Sequence, residues 1–259
     1  MPPSSGPLPA PLNRGTGLPF PAEQHTVARV IAELRTGLIA GFTVVVLLMP
    51  SGTPEQSPPG ELAAGVPALP FISPHRADLG VVPASEQVKR IASWSVGTQD
   101  HAAMPFVVVD KQAARLYVFD AMARLQAHTA VLIGSALGDH SVPGIGQKAI
   151  ADVLPEERTT PAGRFNGRLG RNLTGEEVVW VDYDAAVSMH RVRAHQPAER
   201  RLQRLASDTI EDNRISYGCI NVPAGFFDAH LLPVFSVRAA AIYVLPDQLT
   251  LEQVFGPLP

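Results

Sequence analysis

Ile215-Ser216-Tyr217-Gly218-Cys219-Ile220-Asn221-Val222 carries the single cysteine of a 259-residue chain. Two readings fit a lone thiol in this setting. One is a nucleophile, with glycine ahead of it and hydrogen-bonding side chains on both sides. The other is a buried spectator, because free cysteine is among the most buried residue types and packs as a small hydrophobe. Gly218 lets the backbone take positive φ or approach a substrate just before the sulfur. The amides of Gly218 and Cys219 are then placed to face a developing oxyanion. Ser216 and Asn221 bracket the thiol.

A thiol titrating near ~8.5 needs a base to attack a carbonyl at neutral pH. Ala185-Ala-Val-Ser-Met-His190-Arg-Val192 reads as a strand ending in a histidine. A strand holds an imidazole rigidly, so His190 is the candidate base. His195 lies in the following loop, His230 on an expected helix, and His128 and His140 earlier; each competes for the role. Tyr217 can donate a hydrogen bond but cannot serve as a base near pH 7.

Outward from this stretch, the pattern is mostly that of strands. Phe106–Asp110 and Arg115–Phe119 are rich in β-branched and aromatic residues, with Lys111-Gln112 as a polar turn between them. Thr129–Ile133, Glu176–Asp182 and Ser236–Leu245 follow. Ala224–Val234 reads as a helix with Pro223 near its first turn. Ser85 caps a short helix to Trp94, with Val88, Ile91 and Ala92 on one face. Gly134–Glu157 is a long connection with a short helix near Gln147–Val153, and Thr159–Phe165 contains a Pro-x-Gly turn. Residues 193–212 form a loop and a short helix whose Arg200, Arg201 and Arg204 read as a solvated face. The tail to Pro259 reads as a cap on the sheet edge.

Composition narrows the function. A net charge of −3 gives no electrostatic footprint for nucleic acid. One thiol excludes an internal disulfide framework without excluding an oxidising compartment. One cysteine and no His-x₃-His pair argue against a structural zinc, nucleotide-binding glycine motifs are absent, and no cofactor is expected. Residues 1–26, rich in Pro, Gly and Ser, read as disordered. Residues 27–49 include the uncharged run Gly37–Met49, preceded by Arg29 and Arg35. Its length suits a signal h-region better than a full span, and Pro50 interrupts any cleavage site, so a cleaved signal and an uncleaved anchor both fit. Either makes the rest extracytoplasmic, with membrane contact only through this segment if it stays. A buried core helix is the alternative. Residues 50–103 read as linker and lead-in, 104–246 as the main domain, and 247–259 as a C-terminal tail.

Three elements, in order, resemble the L,D-transpeptidases of the YkuD type. They are the Thr160-Pro161-Ala162-Gly163-Arg164-Phe165 turn, the strand histidine His190, and Ser216-Tyr217-Gly218-Cys219-Ile220-Asn221. The opening Val109-Asp110 to Leu116-Tyr117 hairpin is also similar. The resemblance covers somewhat over half the chain. It implies a mainly β domain, a mixed-strand sandwich or barrel-like fold with short helices. It implies Cys219 as nucleophile and His190 as base and acid, with the Arg191 backbone carbonyl orienting the imidazole. Gly218, Tyr217, Ser216, Asn221 and Arg191 would serve the oxyanion or the substrate, and peptidoglycan stem peptides would be the partners. Three departures stand out. The gap between His190 and Ser216, residues 191–215, is longer than the family's usual spacing. Tyr217 replaces a histidine, and Arg191 replaces a small residue. The alternatives are an L,D-carboxypeptidase, a non-catalytic envelope module that binds wall peptides and, more remotely, a cytosolic cysteine hydrolase.

Overall fold

A computed structural model describes residues 76–258. The expected disordered N-terminus, the signal or anchor segment and most of the linker lie outside the described residues. Strands β1 (Phe106–Asp110) and β2 (Arg115–Phe119) form the expected antiparallel hairpin, in register from Phe106↔Phe119 to Asp110↔Arg115. They are followed by β3 (Leu125–Ala130), β4 (Ile133–Gly134), β5 (Gly163–Arg171), β6 (Glu177–Asp182), β7 (Val187–Arg191), β8 (Arg214–Ser216), β9 (Ile220–Val222) and β10 (Ala240–Val244). Eight of them build one mixed sheet in the order β3-β2-β1-β10-β5-β6-β7-β9, while β4 and β8 pair separately. The last strand inserts between β1, to which it is parallel, and β5, to which it is antiparallel.

The sheet comes back on itself. Just past β3, the Leu132 amide donates to Asn221 O at 3.0 Å and the Asn221 amide to Leu132 O at 2.8 Å. One pair of bonds thus joins the two ends of the strand order, beside the thiol. The domain is mainly β, mixed-strand and barrel-like.

Strand alternation sorts the apolar residues into two cores. Val107, Val109, Leu116, Val118, Val179, Met189, Ile220 and Ile242 pack on one side. Phe106, Val108, Tyr117, Phe119 and Tyr243 pack on the other, with Val88, Ile91 and Ala92. β1 is therefore buried at every position, as a strand covered on both faces must be. The second cover is helix α1 (Glu86–Gly97), which starts where Ser85 Oγ accepts from the Val88 amide at 3.3 Å. The same hydroxyl donates to Asp110 Oδ2 at 2.6 Å, tying the helix to the end of β1.

Several expectations are corrected. Only a turn was expected at Thr159–Phe165, yet from Gly163 the chain runs as a nine-residue strand. The expected strand at Thr129–Ile133 divides between β3 and β4. The connection after it holds three 3₁₀ turns, Ile145–Gln147, Ile150–Asp152 and Pro155–Glu157. As expected, residues 193–212 contain a short helix, α2 (Arg201–Leu205). The helix after the thiol is α3 (Ala224–Phe226), a π turn (Phe227–Leu231) and α4 (Leu232–Phe235). Pro233 lacks an amide hydrogen, so the regular ladder cannot run through it. Finally, α5 (Leu251–Phe255) lies against the core beneath α1, with Leu251 buried and Phe255 packed on it, so the tail covers a face rather than an edge.

Candidate active site

Parallel pairing of β7 with β9 sets Met189 beside Ile220 and His190 beside Asn221. Met189 and Ile220 are buried in the core. Period-two alternation then puts Ser188, His190, Cys219 and Asn221 together on the other side. The thiol and the imidazole thus share one face, Cys219 standing two residues before Asn221, the register partner of His190.

The turn carrying the thiol is tightly tied. Ser216 Oγ donates to Cys219 O at 2.6 Å and accepts from the Gly218 amide at 3.1 Å. Gly218 has φ +124°, and a Cβ there would sit 2.8 Å from Thr159 O. Thr160 Oγ1 donates to Gly218 O at 2.8 Å and accepts from the Gly134 amide at 2.9 Å. The Pro-x-Gly segment therefore fixes the thiol turn from behind. One expectation is corrected: the Gly218 amide points at Ser216 Oγ, not toward an oxyanion, because the hydroxyl closes the turn.

The tautomer of His190 follows from its partners. Nδ1 lies 2.8 Å from Arg191 O, and a carbonyl can only accept, so Nδ1 carries the hydrogen. Nε2 then holds the lone pair and accepts from Asn221 Nδ2 at 3.5 Å. Burial pushes the imidazole pKa down, the Arg193 and Arg201 guanidiniums add to this, and the Arg191 carbonyl opposes it. The net effect is a His190 held below the usual histidine range, neutral at pH 7. Cys219 is half-buried. Its sulfur lies 3.6 Å from Ala186 O and 3.7 Å from Ser188 Oγ. No hydrogen bond joins sulfur to imidazole among the described residues.

The remaining expected residues divide. Asn221, 1 % exposed, meets the imidazole, its Nδ2 also donating to the backbone carbonyl of Cys219 at 3.2 Å. Tyr217 is 39 % exposed, and the Arg158 guanidinium stacks 4.2 Å over its ring. The Arg191 carbonyl meets the imidazole, but its guanidinium turns to Asp228 at 2.5 Å and Glu177 at 3.5 Å and lies over Phe227. Of the competing histidines, His128 stacks on Tyr117, His230 packs at a tilt against Phe226, and His140 and His195 are exposed. None of them bonds Cys219 among the described residues. Sequence reasoning missed Ser188 and Glu199, and Arg201, read there as part of a solvated face, is corrected: it reaches the site. Ser188 touches the sulfur. Arg201 Nη1 donates to Asn221 Oδ1 at 2.6 Å, and Glu199 holds Arg201 at 2.5 Å. The last two were hidden in an arginine-rich run. Among the described residues no group of three or more His, Cys, Asp or Glu converges to hold a metal, and no helix is long and apolar enough to cross a membrane.

No family model and no curated protein sequence matches the chain. Among solved structures it is similar to a variant of the helical cell shape determining protein Pgp2 of Campylobacter jejuni, at 14% identity over 57% of this chain and 48% of that one, TM-score 0.37. An L,D-transpeptidase mutant of Enterococcus faecium is 17% identical over 55% of this chain and 50% of that one, TM-score 0.32. The catalytic domain of the E. faecium L,D-transpeptidase is 16% identical over 56% of this chain and 99% of that one, TM-score 0.31. The chain thus spans about half the length of the first two, 48% and 50%.

Proposed function

We propose that residues 104–246 form a cysteine acyltransferase of the L,D-transpeptidase kind, acting on peptidoglycan stem peptides outside the cytoplasm. The observation that carries this reading is a neutral, half-buried imidazole with its lone pair on Nε2, on the same strand face as a half-buried thiol two residues before its register partner Asn221. That is the state a general base requires before it takes a thiol proton.

The reaction starts when the Cys219 side chain leaves Ala186 O and turns toward Nε2. The thiolate attacks the carbonyl after the third residue of a stem tetrapeptide, its proton passing to His190. The Cys219 amide faces the oxyanion, since the Gly218 amide is taken by Ser216; the Tyr217 hydroxyl is a second donor. The tetrahedral intermediate collapses to a thioester, and the terminal D-alanine leaves with the proton from His190. An acceptor amine attacks the thioester and returns the thiol. If water takes the amine's place, the same residues make an L,D-carboxypeptidase. No metal or cofactor takes part. Residues 27–49 would export the domain, cleaved or retained as an anchor.

A specific observation favours a second reading, a non-catalytic envelope module that binds wall peptides. The sulfur bonds to Ala186 O, and Asn221 occupies the position in front of Nε2. Incubation with a stem tetrapeptide followed by intact-protein mass spectrometry separates the two. The acyltransferase gains one acyl group on Cys219 and releases D-alanine, and Cys219→Ala does neither. Retained peptidoglycan binding with no adduct and no release assigns the module.

A further inference from the structure

The geometry points to Arg201 as a positioning residue that decides which end of the Asn221 side-chain amide faces His190. Arg201 belongs to the segment that lengthens the gap between histidine and thiol, so that segment supplies a part of the site instead of looping away from it. A guanidinium only donates, so the 2.6 Å bond from Arg201 Nη1 requires Asn221 Oδ1 at that end. The NH₂ group must then face His190 Nε2 and the Cys219 carbonyl. Glu199 holds Arg201 through both carboxylate oxygens, at 2.5 and 3.3 Å, so the guanidinium is aimed before Asn221 meets it. Every bond then runs one way, from Arg201 to Asn221 to Nε2, while Nδ1–H points to Arg191 O.

A rotated Asn221 would present Oδ1 to Nε2 and favour a hydrogen there, removing the lone pair that a base uses. The Cys219 carbonyl opposes that rotation only through a 3.2 Å contact, and it already receives the Ser216 hydroxyl at 2.6 Å. The Arg201 bond is shorter and charge-assisted, and it dominates. The charged groups facing the imidazole are Arg201 from α2, Arg193 with its ion-pair partner Glu176, and the titratable thiol of Cys219. The neighbouring Arg191 is neutralised by Asp228 and Glu177.

Two readouts on the full chain test this without substrate. ¹⁵N spectra of histidine-labelled protein report the His190 tautomer, with His190→Gln identifying its signals. The pH dependence of iodoacetamide alkylation reports the base, and the single cysteine makes the modified site unambiguous. Arg201→Gln keeps a donor for Asn221 Oδ1 but drops the charge; Arg201→Met drops both. The expected result is an Nδ1–H tautomer in wild type and Arg201→Gln. Arg201→Met should gain a hydrogen at Nε2 while Arg191 O keeps the one on Nδ1, so more of its imidazole is charged and its alkylation near pH 6.5 should slow by about threefold to tenfold, the effect of half to one pKa unit. Equal behaviour of the Gln and Met variants, or an unchanged tautomer in both, overturns the inference. If Arg201→Met does not fold, Arg201→Lys should keep the wild-type tautomer and Glu199→Gln should partly lose it; the opposite order overturns the proposal equally. The inference rests on the acyltransferase reading for His190 as base. Wild-type protein that forms no acyl adduct yet obeys these tautomer rules sinks that reading alone.

Discussion

At Gly218 the backbone is at φ +124°, and Thr159 O stands where a Cβ would be, 2.8 Å away. An alanine must therefore strain the backbone or displace the Thr159–Thr160 segment behind it. Gly218→Ala is expected to cost about 1–3 kcal/mol, and to slow Cys219 alkylation because the turn moves; thermal melts and alkylation rates check both. His190 yields a second prediction. Burial, then the Arg193 and Arg201 charges, hold its pKa below the unfolded value of about 6.5. The folded state therefore binds fewer protons, and the stability tied to the neutral ring is fully present above pH ~6.5 and lost as pH falls from there through the lower folded value. The acid limb of acylation is expected to have its midpoint below ~6.5. His190→Gln should lower acylation by roughly 10²–10⁴-fold and flatten the loss of stability between pH 7 and 5. An acid limb that survives His190→Gln unchanged assigns the base elsewhere. At this scale the sequence was informative about His190 and Cys219, because a strand-borne histidine and a glycine-preceded thiol are local patterns. Arg201 was not legible: nothing local separates an arginine that reaches a buried asparagine from its solvated neighbours.

Among the elements, Thr160 connects three that are distant in sequence. Its buried hydroxyl receives the Gly134 amide at the end of β4 and donates to Gly218 O in the thiol turn, three residues before β5 begins. Thr160→Val keeps the shape but leaves an amide and a carbonyl without a partner. It is expected to cost about 1–3 kcal/mol and to slow thiol alkylation, whereas loss of stability alone would confine Thr160 to the fold. Strand β5 itself was not legible. Arg164-Phe-Asn-Gly-Arg-Leu-Gly-Arg171 has two glycines and no β-branched residue, so it reads as loop. The reason is tertiary. Phe235 of α4 and Ile242 of β10 approach so closely that a Cβ at Gly167 would sit 2.6 and 2.4 Å from them. By contrast, β1, β2, β6 and β10 carry enough Val, Ile and Tyr to be found without their partners, and the caps of α1 lie within four residues of sequence.

Across the whole domain, one buried charge cluster joins segments from both ends. Lys111 falls in what the sequence presents as an exposed polar turn, yet its side chain is fully buried. Nζ donates to Gly138 O at 2.6 Å, Asp139 Oδ1 at 2.9 Å and Thr160 O at 2.9 Å, and lies 3.3 Å from Asp247 Oδ2. Asp247 also takes Arg214 of β8 at 2.6 Å. Asp139 accepts the amides of Asp247, Gln248 and Leu249, holding the start of the C-terminal segment. Removing one member leaves the others charged and dry, so Lys111→Met is expected to cost about 3–5 kcal/mol. Through Thr160 that loss should reach the thiol turn and slow its alkylation as well. The same cluster sets the acid stability of the domain. Burial raises the Asp139 pKa, but the Lys111 bond and the three amides outweigh it and bring the carboxyl to about 2 from 3.8. The folded pKa lies below the unfolded one, so this contribution is fully present above pH ~4 and is lost as pH falls toward 2; its size is roughly 2 kcal/mol. Asp139→Asn should remove at least that much at pH 7 and flatten the stability-pH curve between 4 and 2. Urea unfolding at stepped pH measures both, and a variant whose curve stays parallel to wild type through that window would place the acid-sensitive group elsewhere in the domain.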